Sequence, residues 1–162
     1  MSSKPKPIPA EMTVDDPLAL ERQVCFALSI ASRSVLTVYR PYLEPMGLTH
    51  PQYLVMLALW GEAPLSVKRL GELLRLEPAT LSPLLKRLES AGAITRSRNR
   101  KDERQLDVSL TAAGQKLRAQ AERIPAAIAQ RLGVDVSELQ SLHAALVRII
   151  DAVDAIDTTP TS

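Results

Sequence analysis

The sequence predicts a mainly α-helical protein with one small β-hairpin. Leucine and alanine, both strong helix formers, account for 25 and 20 of its 162 residues, whereas only five residues are aromatic. Apolar residues recur at helical spacing along most of the chain, and strand-like alternation begins only beyond Gly92. With 46% hydrophobic and 23% charged residues, the composition is that of a globular domain.

One domain is expected, because 162 residues suit a single core better than two. It should cover residues 16–157, between a flexible, Pro-rich arm of residues 1–15 and a polar tail of residues 158–162. The polar N-terminus does not predict a signal peptide, and no stretch is apolar enough to predict a membrane span. We therefore expect a cytoplasmic protein without a membrane partner.

The chain has one cysteine, Cys25, and two histidines, His50 and His143. A single thiol excludes an intrachain disulfide and a multi-cysteine zinc site, and two distant histidines do not have metal-ligand spacing. The six glycines are at least ten residues apart, so the sequence contains no glycine-rich phosphate loop. We expect no metal, no cofactor and no enzymatic activity.

The first predicted helix begins at Asp16-Pro17 and ends or kinks at Arg40-Pro41. Its apolar residues cover most of the circumference between Leu18 and Tyr39, so the helix must be buried on both sides. A partner subunit is a plausible second side in so short a chain. We expect dimerisation through this helix, at about 17–40, and through the C-terminal helices, at about 112–157.

Capping patterns place the next helices. Thr49-His50-Pro51-Gln52 is typical of a capping box and predicts a helix that ends near Gly61. Ser66 should then cap a short helix from Val67 to about Leu74. A second short helix is expected from Thr80 to Ala91, with Thr80 as its cap, because an earlier start would place a proline inside the helix. The pair predicts a helix-turn-helix.

A β-hairpin should follow this pair at once. Its predicted strands are Ile94–Arg98 and Gln105–Leu110, joined by a charged tip at 99–104. A helix-turn-helix that continues into a hairpin is a winged helix-turn-helix, here at about 64–111. Beyond it, Thr111 should cap a helix that Pro125 kinks, and a last helix should follow Gly133.

The small net charge of +2 conceals an uneven distribution. Between Pro64 and Arg104 there are ten basic and five acidic residues, a balance of +5, and the rest of the chain has ten basic and thirteen acidic residues, a balance of −3. Basic charge is therefore concentrated on the predicted winged helix-turn-helix. This pattern favours binding to the phosphates of double-stranded DNA.

Geometry suggests roles for individual residues of this segment. Thr80, Ser82 and Lys86 on the second helix are candidates for the major groove, and Arg100 and Lys101 at the hairpin tip for the minor groove. The remaining candidate DNA-binding residues are basic: Arg87, Arg96, Arg98 and Arg104. The alternative is that these charges only solvate a surface.

Several segments together resemble the MarR family of winged-helix regulators. They are Leu48–Val55, Thr80–Glu89 and Asp102-Glu103-Arg104. With Gln23–Leu28 and Ser32-Arg33 the chain is similar to the OhrR subfamily, of the type with one cysteine. The similarity extends from about Leu20 to Pro125.

The resemblance implies a homodimeric repressor that binds a pseudo-palindromic operator and releases it when organic hydroperoxides oxidise Cys25. It also implies tyrosines, partly from the partner subunit, that support the sulfur, and Tyr39 matches one of them. His50 replaces the second tyrosine, and Ser29 replaces a tyrosine often found four residues after the cysteine. Asp102, from the Asp-x-Arg pattern of the family, is the expected wing-stabilising residue.

Other interpretations of these residues stay open. Cys25 could be a small buried hydrophobe, more than two turns inside its helix and beyond the reach of the helix dipole. The repressor would then respond to a small aromatic ligand. His50 could donate to a thiolate or merely belong to the capping box. A Cys25–His50 thiol peroxidase is conceivable but would be unusual on a winged helix.

If Cys25 is oxidised, the absence of a second cysteine limits the fate of its sulfur. The sulfenic acid must condense with a low-molecular-weight thiol, cyclise to a sulfenamide or over-oxidise.

Overall fold

A computed structural model describes Leu20 and residues 23–157 of the chain. The chain divides into two compact units, Met1–Val38 and Tyr39–Ser162. The expected arm at 1–15, the helix start at Asp16-Pro17 and the tail at 158–162 lie outside the described residues. The elements, in chain order, are α1 (Val24–Leu43), α2 (His50–Gly61), β1 (Leu65–Ser66), α3 (Val67–Leu74), α4 (Pro78–Ser90), β2 (Ile94–Arg98), β3 (Leu106–Leu110), α5 (Ala112–Ala121), α6 (Ile124–Leu132) and α7 (Val136–Asp157).

The described part of α1 begins at Val24, so Cys25 lies in its first turn. The helical bonds start there because the Gln23 carbonyl accepts from Ala27 N at 3.1 Å, whereas Gln23 N donates to the Leu20 carbonyl in a tighter turn. The expectation that Cys25 sits more than two turns inside the helix is therefore wrong.

Of the two outcomes expected at Arg40-Pro41, an end of the helix is wrong, since α1 continues through Pro41 to Leu43. Pro41 removes one backbone hydrogen bond but does not end the helix. Leu43 is almost fully buried, and Met46 and Leu48 are buried directly after it. Burial of these side chains offsets the lost hydrogen bond.

The start of α4 corrects a second prediction. The helix begins at Pro78 with Glu77 as its N-cap, because the Glu77 carbonyl accepts from Thr80 N at 2.9 Å and from Leu81 N at 3.0 Å. Pro78 has the φ angle that a first helical residue needs. Pro83 thus lies inside the helix, and Thr80 is a helical residue, not its cap.

The wing contains the predicted hairpin as β2 and β3, and the short strand β1 extends it to a three-stranded antiparallel sheet in the order β1-β3-β2. Leu65 of the short strand β1 pairs with Val108, whereas Ile94 and Arg98 of β2 pair with Leu110 and Leu106. Strand β3 therefore begins one residue later than expected.

The predicted kink at Pro125 is a complete break between α5 and α6, and Pro125 lies in the first turn of α6. The helix then ends at Leu132, and Gly133 caps it with the left-handed φ angle of 65° that glycine tolerates best.

The core of the second unit is built around α2. Buried side chains from this helix, α3, α4 and the wing form it: Val55, Met56, Leu59, Leu70, Leu81, Leu85, Leu88, Ile94 and Val108. This packing holds α4 and the wing on one scaffold. Among the described residues, none of the helices combines the length and the apolarity that crossing a membrane requires.

Candidate nucleic-acid interface and thiol site

Helix α4 presents a polar face opposite its buried one. Leu81, Leu85 and Leu88 are each about 1% exposed and fix the helix against the core. The candidate DNA-binding residues of the same helix are exposed: Thr80, Ser82 and Lys86, predicted for the major groove, and the basic residue Arg87. Burial of the apolar face thus leaves the polar face of α4 exposed, as a recognition helix requires.

The tip of the wing is held by two side chains, Asn99 and Asp102. Asn99 Oδ1 accepts from the backbone N of Lys101 at 2.7 Å and of Asp102 at 3.1 Å, and Asn99 Nδ2 donates to Asp107 at 2.8 Å. Asp102 Oδ1 accepts from the backbone N of Arg104 at 3.1 Å. The exposed cations on β2 and the tip are Arg98, Arg100, Lys101 and Arg104. The tip is thus an ordered loop with a positively charged surface.

Arg96 differs from these cations because Glu89 of α4 binds it. Its Nη2 and Nε donate to Glu89 Oε2 at 2.6 and 3.0 Å, and its backbone N donates to Oε1 at 3.2 Å. Hydrogen bonding from Arg96 lowers the pKa of Glu89. No role for Glu89 was predicted from the sequence, because the charge count treats it only as an acidic residue in a basic segment.

A close junction joins the wing to α5. Thr111 Oγ1 donates to the Gly92 carbonyl at 2.6 Å and caps α5 by accepting from Gly114 N at 3.0 Å. A Cβ on Gly114 would overlap the Ala93 carbonyl, so only glycine fits at this point. Trp60 of α2 donates its indole N–H to the Gly114 carbonyl.

A second ion pair joins α7 to the turn between α3 and α4. Arg75 donates from both terminal nitrogens to Asp154, each at 2.7 Å. This hydrogen-bonded contact lowers the pKa of Asp154 and raises that of Arg75. Arg75 has a left-handed φ of 52°, which is uncommon for a side chain with a Cβ. The pair connects residues 79 positions apart, so no local pattern predicts it.

The two predicted sulfur-supporting residues of the second unit lie together in an aromatic cluster. The rings of Tyr39 and His50 are 5.1 Å apart in an edge-to-face arrangement, and Tyr53 lies 6.1 Å from Tyr39. Tyr53 in turn contacts Trp60 at 6.3 Å. Burial lowers the pKa of His50, and burial together with Tyr39 raises the pKa of Tyr53. Burial therefore favours the neutral imidazole of His50 over its charged form.

Cys25 belongs to the first unit, where it is a free and exposed thiol. Exposure makes it accessible to an oxidant, which a buried structural cysteine is not. Among the described residues, no group of three or more histidine, cysteine or acidic side chains could hold a metal ion.

The fold and the basic surface define a winged helix-turn-helix protein. Residues 48–106 match the model of the MarR family. The chain is 43% identical over 129 residues to the organic hydroperoxide resistance transcriptional regulator of Bacillus subtilis. The matched region covers 78% of this chain and 88% of that protein. It is 41% identical over 141 residues to the transcriptional regulator TtmR of Methylorubrum extorquens, covering 87% and 72% of the two chains. The chain therefore belongs to the MarR family, and it is a transcriptional regulator whose similarity includes the OhrR subfamily.

Solved structures agree with this assignment. AbfR of Staphylococcus epidermidis, in its reduced form bound to DNA, is 34% identical with a TM-score of 0.69, and the match covers 83% of this chain and 94% of that one. Overoxidized AbfR has also been solved bound to DNA, with a TM-score of 0.67, and AbfR in a disulfide-formed state with a TM-score of 0.59.

Proposed function

We propose that this regulator is a homodimeric repressor that binds a pseudo-palindromic operator and releases it when an organic hydroperoxide oxidises Cys25. The observation that carries the proposal is an exposed single thiol in the first turn of α1, in a chain whose second unit has a DNA-binding architecture. The similarity to the hydroperoxide regulator of Bacillus subtilis supports the choice of oxidant.

DNA binding rests on α4 and the wing acting together. Helix α4 enters the major groove with Thr80, Ser82 and Lys86, and the ordered tip brings Arg100 and Lys101 to the adjacent minor groove. The wing-stabilising role of Asp102 is supported by its bond to the Arg104 amide. Phosphate contacts by the exposed arginines supply affinity that falls with salt.

Dimerisation rests on an apolar face of α7. Leu142, Ile149 and Val153 recur at helical spacing on one side of the helix and are each about half exposed. A second copy of the chain would bury this face. Two recognition helices on one dimer then match two half-sites of an operator.

The proposed chemistry begins with the thiolate of Cys25. It attacks the terminal peroxide oxygen, an S–O bond forms, the O–O bond breaks, and the peroxide leaves as an alcohol after taking up a proton. The sulfur loses two electrons and becomes a sulfenic acid.

A low-molecular-weight thiol completes the switch. It displaces the sulfenic oxygen as water and leaves a mixed disulfide on Cys25. This outcome is favoured over over-oxidation because overoxidized AbfR has been solved on DNA. The added group pushes the first helix against its packing and separates the two recognition helices beyond what the half-sites allow.

Tyr39 and His50 are proposed to support the sulfur. Because partial burial disfavours the charged form of His50, it would act as a hydrogen-bond donor through its neutral ring N–H, as a tyrosine hydroxyl does.

A second candidate function is release by a small aromatic ligand, with Cys25 uninvolved. A cavity of about 280 Å³ beside α2 favours it, since Tyr53, Trp60 and Arg118 are among its lining residues. The aromatic walls suit an aromatic ligand, and the guanidinium of Arg118 is already paired with Glu122, another lining residue.

One experiment separates these functions. The reduced full chain selects a duplex from a random DNA pool, and mobility shifts on that duplex compare wild type with Cys25→Ser, with and without cumene hydroperoxide plus cysteine. If Cys25 is the sensor, the oxidant and the thiol release only the wild-type protein from the duplex, although both proteins bind it before oxidation. Equal release of both proteins would favour the second candidate. Steady peroxide turnover without DNA binding would identify an enzyme instead.

A further inference from the structure

Arg96 lies on the inner face of the wing. Side chains of a strand alternate between the two faces of its sheet, so Arg96 shares a face with Ile94, two residues before it. Its partner in the register is Val108, and both Ile94 and Val108 are buried. The side chain of Arg96 therefore leaves β2 on the face of the sheet that packs against the core.

The Glu89 carboxylate uses both of its oxygens on Arg96. Oε2 accepts two guanidinium N–H groups, at 2.6 and 3.0 Å, and Oε1 accepts the backbone N–H at 3.2 Å. The side chain of Arg96 is 25% exposed and that of Glu89 is 37% exposed. A planar guanidinium held in this way has lost part of its capacity to bind a phosphate.

The pair joins the two elements that are proposed to contact DNA. Glu89 lies in the last turn of α4, and Arg96 lies at the centre of β2. The chain between them turns at Gly92, whose φ is 74°. Three hydrogen bonds across this turn limit how far the wing can rotate relative to α4.

We propose that Glu89 and Arg96 are positioning residues that set the angle between recognition helix and wing, and that Arg96 does not bind a phosphate. The inference rests on the proposed DNA binding and revises the role of one predicted contact. A fixed angle lets α4 and the wing tip reach adjacent grooves at the same time. Specific binding needs this simultaneous fit, whereas non-specific binding depends mainly on charge.

The two roles of Arg96 predict opposite changes in DNA affinity when the charge on Glu89 is removed. If Arg96 bound a phosphate and Glu89 only competed for it, Glu89→Gln would tighten DNA binding. If the pair sets the angle, Glu89→Gln weakens specific binding although it removes a negative charge near the DNA. Arg96→Lys discriminates in the same way, since lysine keeps the charge but loses the planar fork.

The test measures affinity for the selected duplex against salt concentration. The full-length variants are Glu89→Gln, Arg96→Lys and Arg96→Ala, and Arg100→Ala is the matched control from the exposed tip. We expect the first three to weaken specific binding about five- to tenfold with an unchanged salt slope. Arg100→Ala should reduce the slope of log K against log salt by about 0.9. The double variant Glu89→Gln/Arg96→Ala should bind the duplex no more weakly than the weaker-binding of its two single variants, because both substitutions break the same contact.

Two results would overturn this inference and leave the proposed function intact. One is a salt slope for Arg96→Ala that falls as much as that of Arg100→Ala. The other is wild-type or tighter binding by Glu89→Gln. Thermal unfolding shows whether Arg96→Ala is folded, and the near-isosteric Glu89→Gln decides the question if it is not. Failure of the wild-type protein to bind any duplex would overturn the proposed function, and this inference with it.

Discussion

The indole Nε1 of Trp60 donates a buried hydrogen bond to the carbonyl oxygen of Gly114, 3.0 Å away and 54 residues later in the chain. The bond joins the end of α2 to the first turn of α5. Arg118, one turn further along α5, donates back to the Trp60 carbonyl at 3.2 Å. These bonds, with the missing side chain at Gly114, fix α5 against the winged helix-turn-helix.

Gly114→Ala should therefore destabilise the fold. The new methyl group would overlap the backbone carbonyl of Ala93, which cannot move aside as a flexible side chain could. We expect a loss of about 1–3 kcal/mol in the free energy of unfolding, measured by urea denaturation. Gly61→Ala is the control, because a Cβ there meets no atom within 4 Å. Equal stability of the two variants would contradict the proposed tight junction.

His50 should make stability depend on pH. Burial lowers its pKa from the ordinary value of 6.5, so the unfolded chain takes up a proton more readily than the folded one. The free energy of unfolding should thus be steady above about pH 7 and fall as the pH drops below about 6.5. Urea denaturation at about pH 8 and pH 5.5 measures the effect.

His50→Tyr should flatten this dependence, since tyrosine does not titrate in that range. His143→Gln is the control, because His143 is an exposed histidine on α7. A wild-type pH dependence in His50→Tyr would show that other groups cause it.

Asn99→Ala should loosen the wing tip with little effect on global stability. The substitution removes the acceptor of the Lys101 and Asp102 amides. Hydrogen exchange at these amides should accelerate, affinity for the selected duplex should fall about three- to tenfold, and stability should change by less than about 1 kcal/mol. Glu103→Ala, at an exposed position of the same tip, should leave amide exchange unchanged. Unaltered exchange in Asn99→Ala would contradict the role of this side chain.

Ile149→Arg should disrupt the proposed dimer. It places a charge in the centre of the apolar face of α7, where burial of one such side chain is worth about 1.5–3 kcal/mol. Sedimentation velocity should show monomers at concentrations where the wild-type protein is dimeric. Gln140→Arg, at an exposed polar position of the same helix, should remain dimeric. A dimeric Ile149→Arg would place the subunit interface elsewhere.

Elements with local hydrogen-bond chemistry could be predicted from the sequence. The capping box at Thr49, the Ser66 cap and the Thr111 cap are all present. Strand β2 has the predicted bounds, Ile94–Arg98. In each case the residues that decide the structure lie within a few positions of one another.

Features that depend on distant residues could not be predicted. Strand β1 has only two residues and forms because Leu65 pairs with Val108, 43 positions away. The bond from Arg96 to Glu89 crosses a turn, and it converts a predicted DNA contact into a candidate positioning residue. Helix α4 starts at Pro78 although Pro83 disfavours it, because buried leucines outweigh one lost hydrogen bond.

The hydrogen bonds of the capping box around His50 do not depend on the side chain at position 50. Thr49 N donates to Gln52 Oε1 at 2.9 Å, and Gln52 N donates to Thr49 Oγ1, so neither bond uses the side chain at position 50. That position is therefore free to change its side chain while α2 keeps its start. Histidine or tyrosine at position 50 is therefore compatible with the same helix start, so the side chain beside Tyr39 can change without any change in the capping hydrogen bonds.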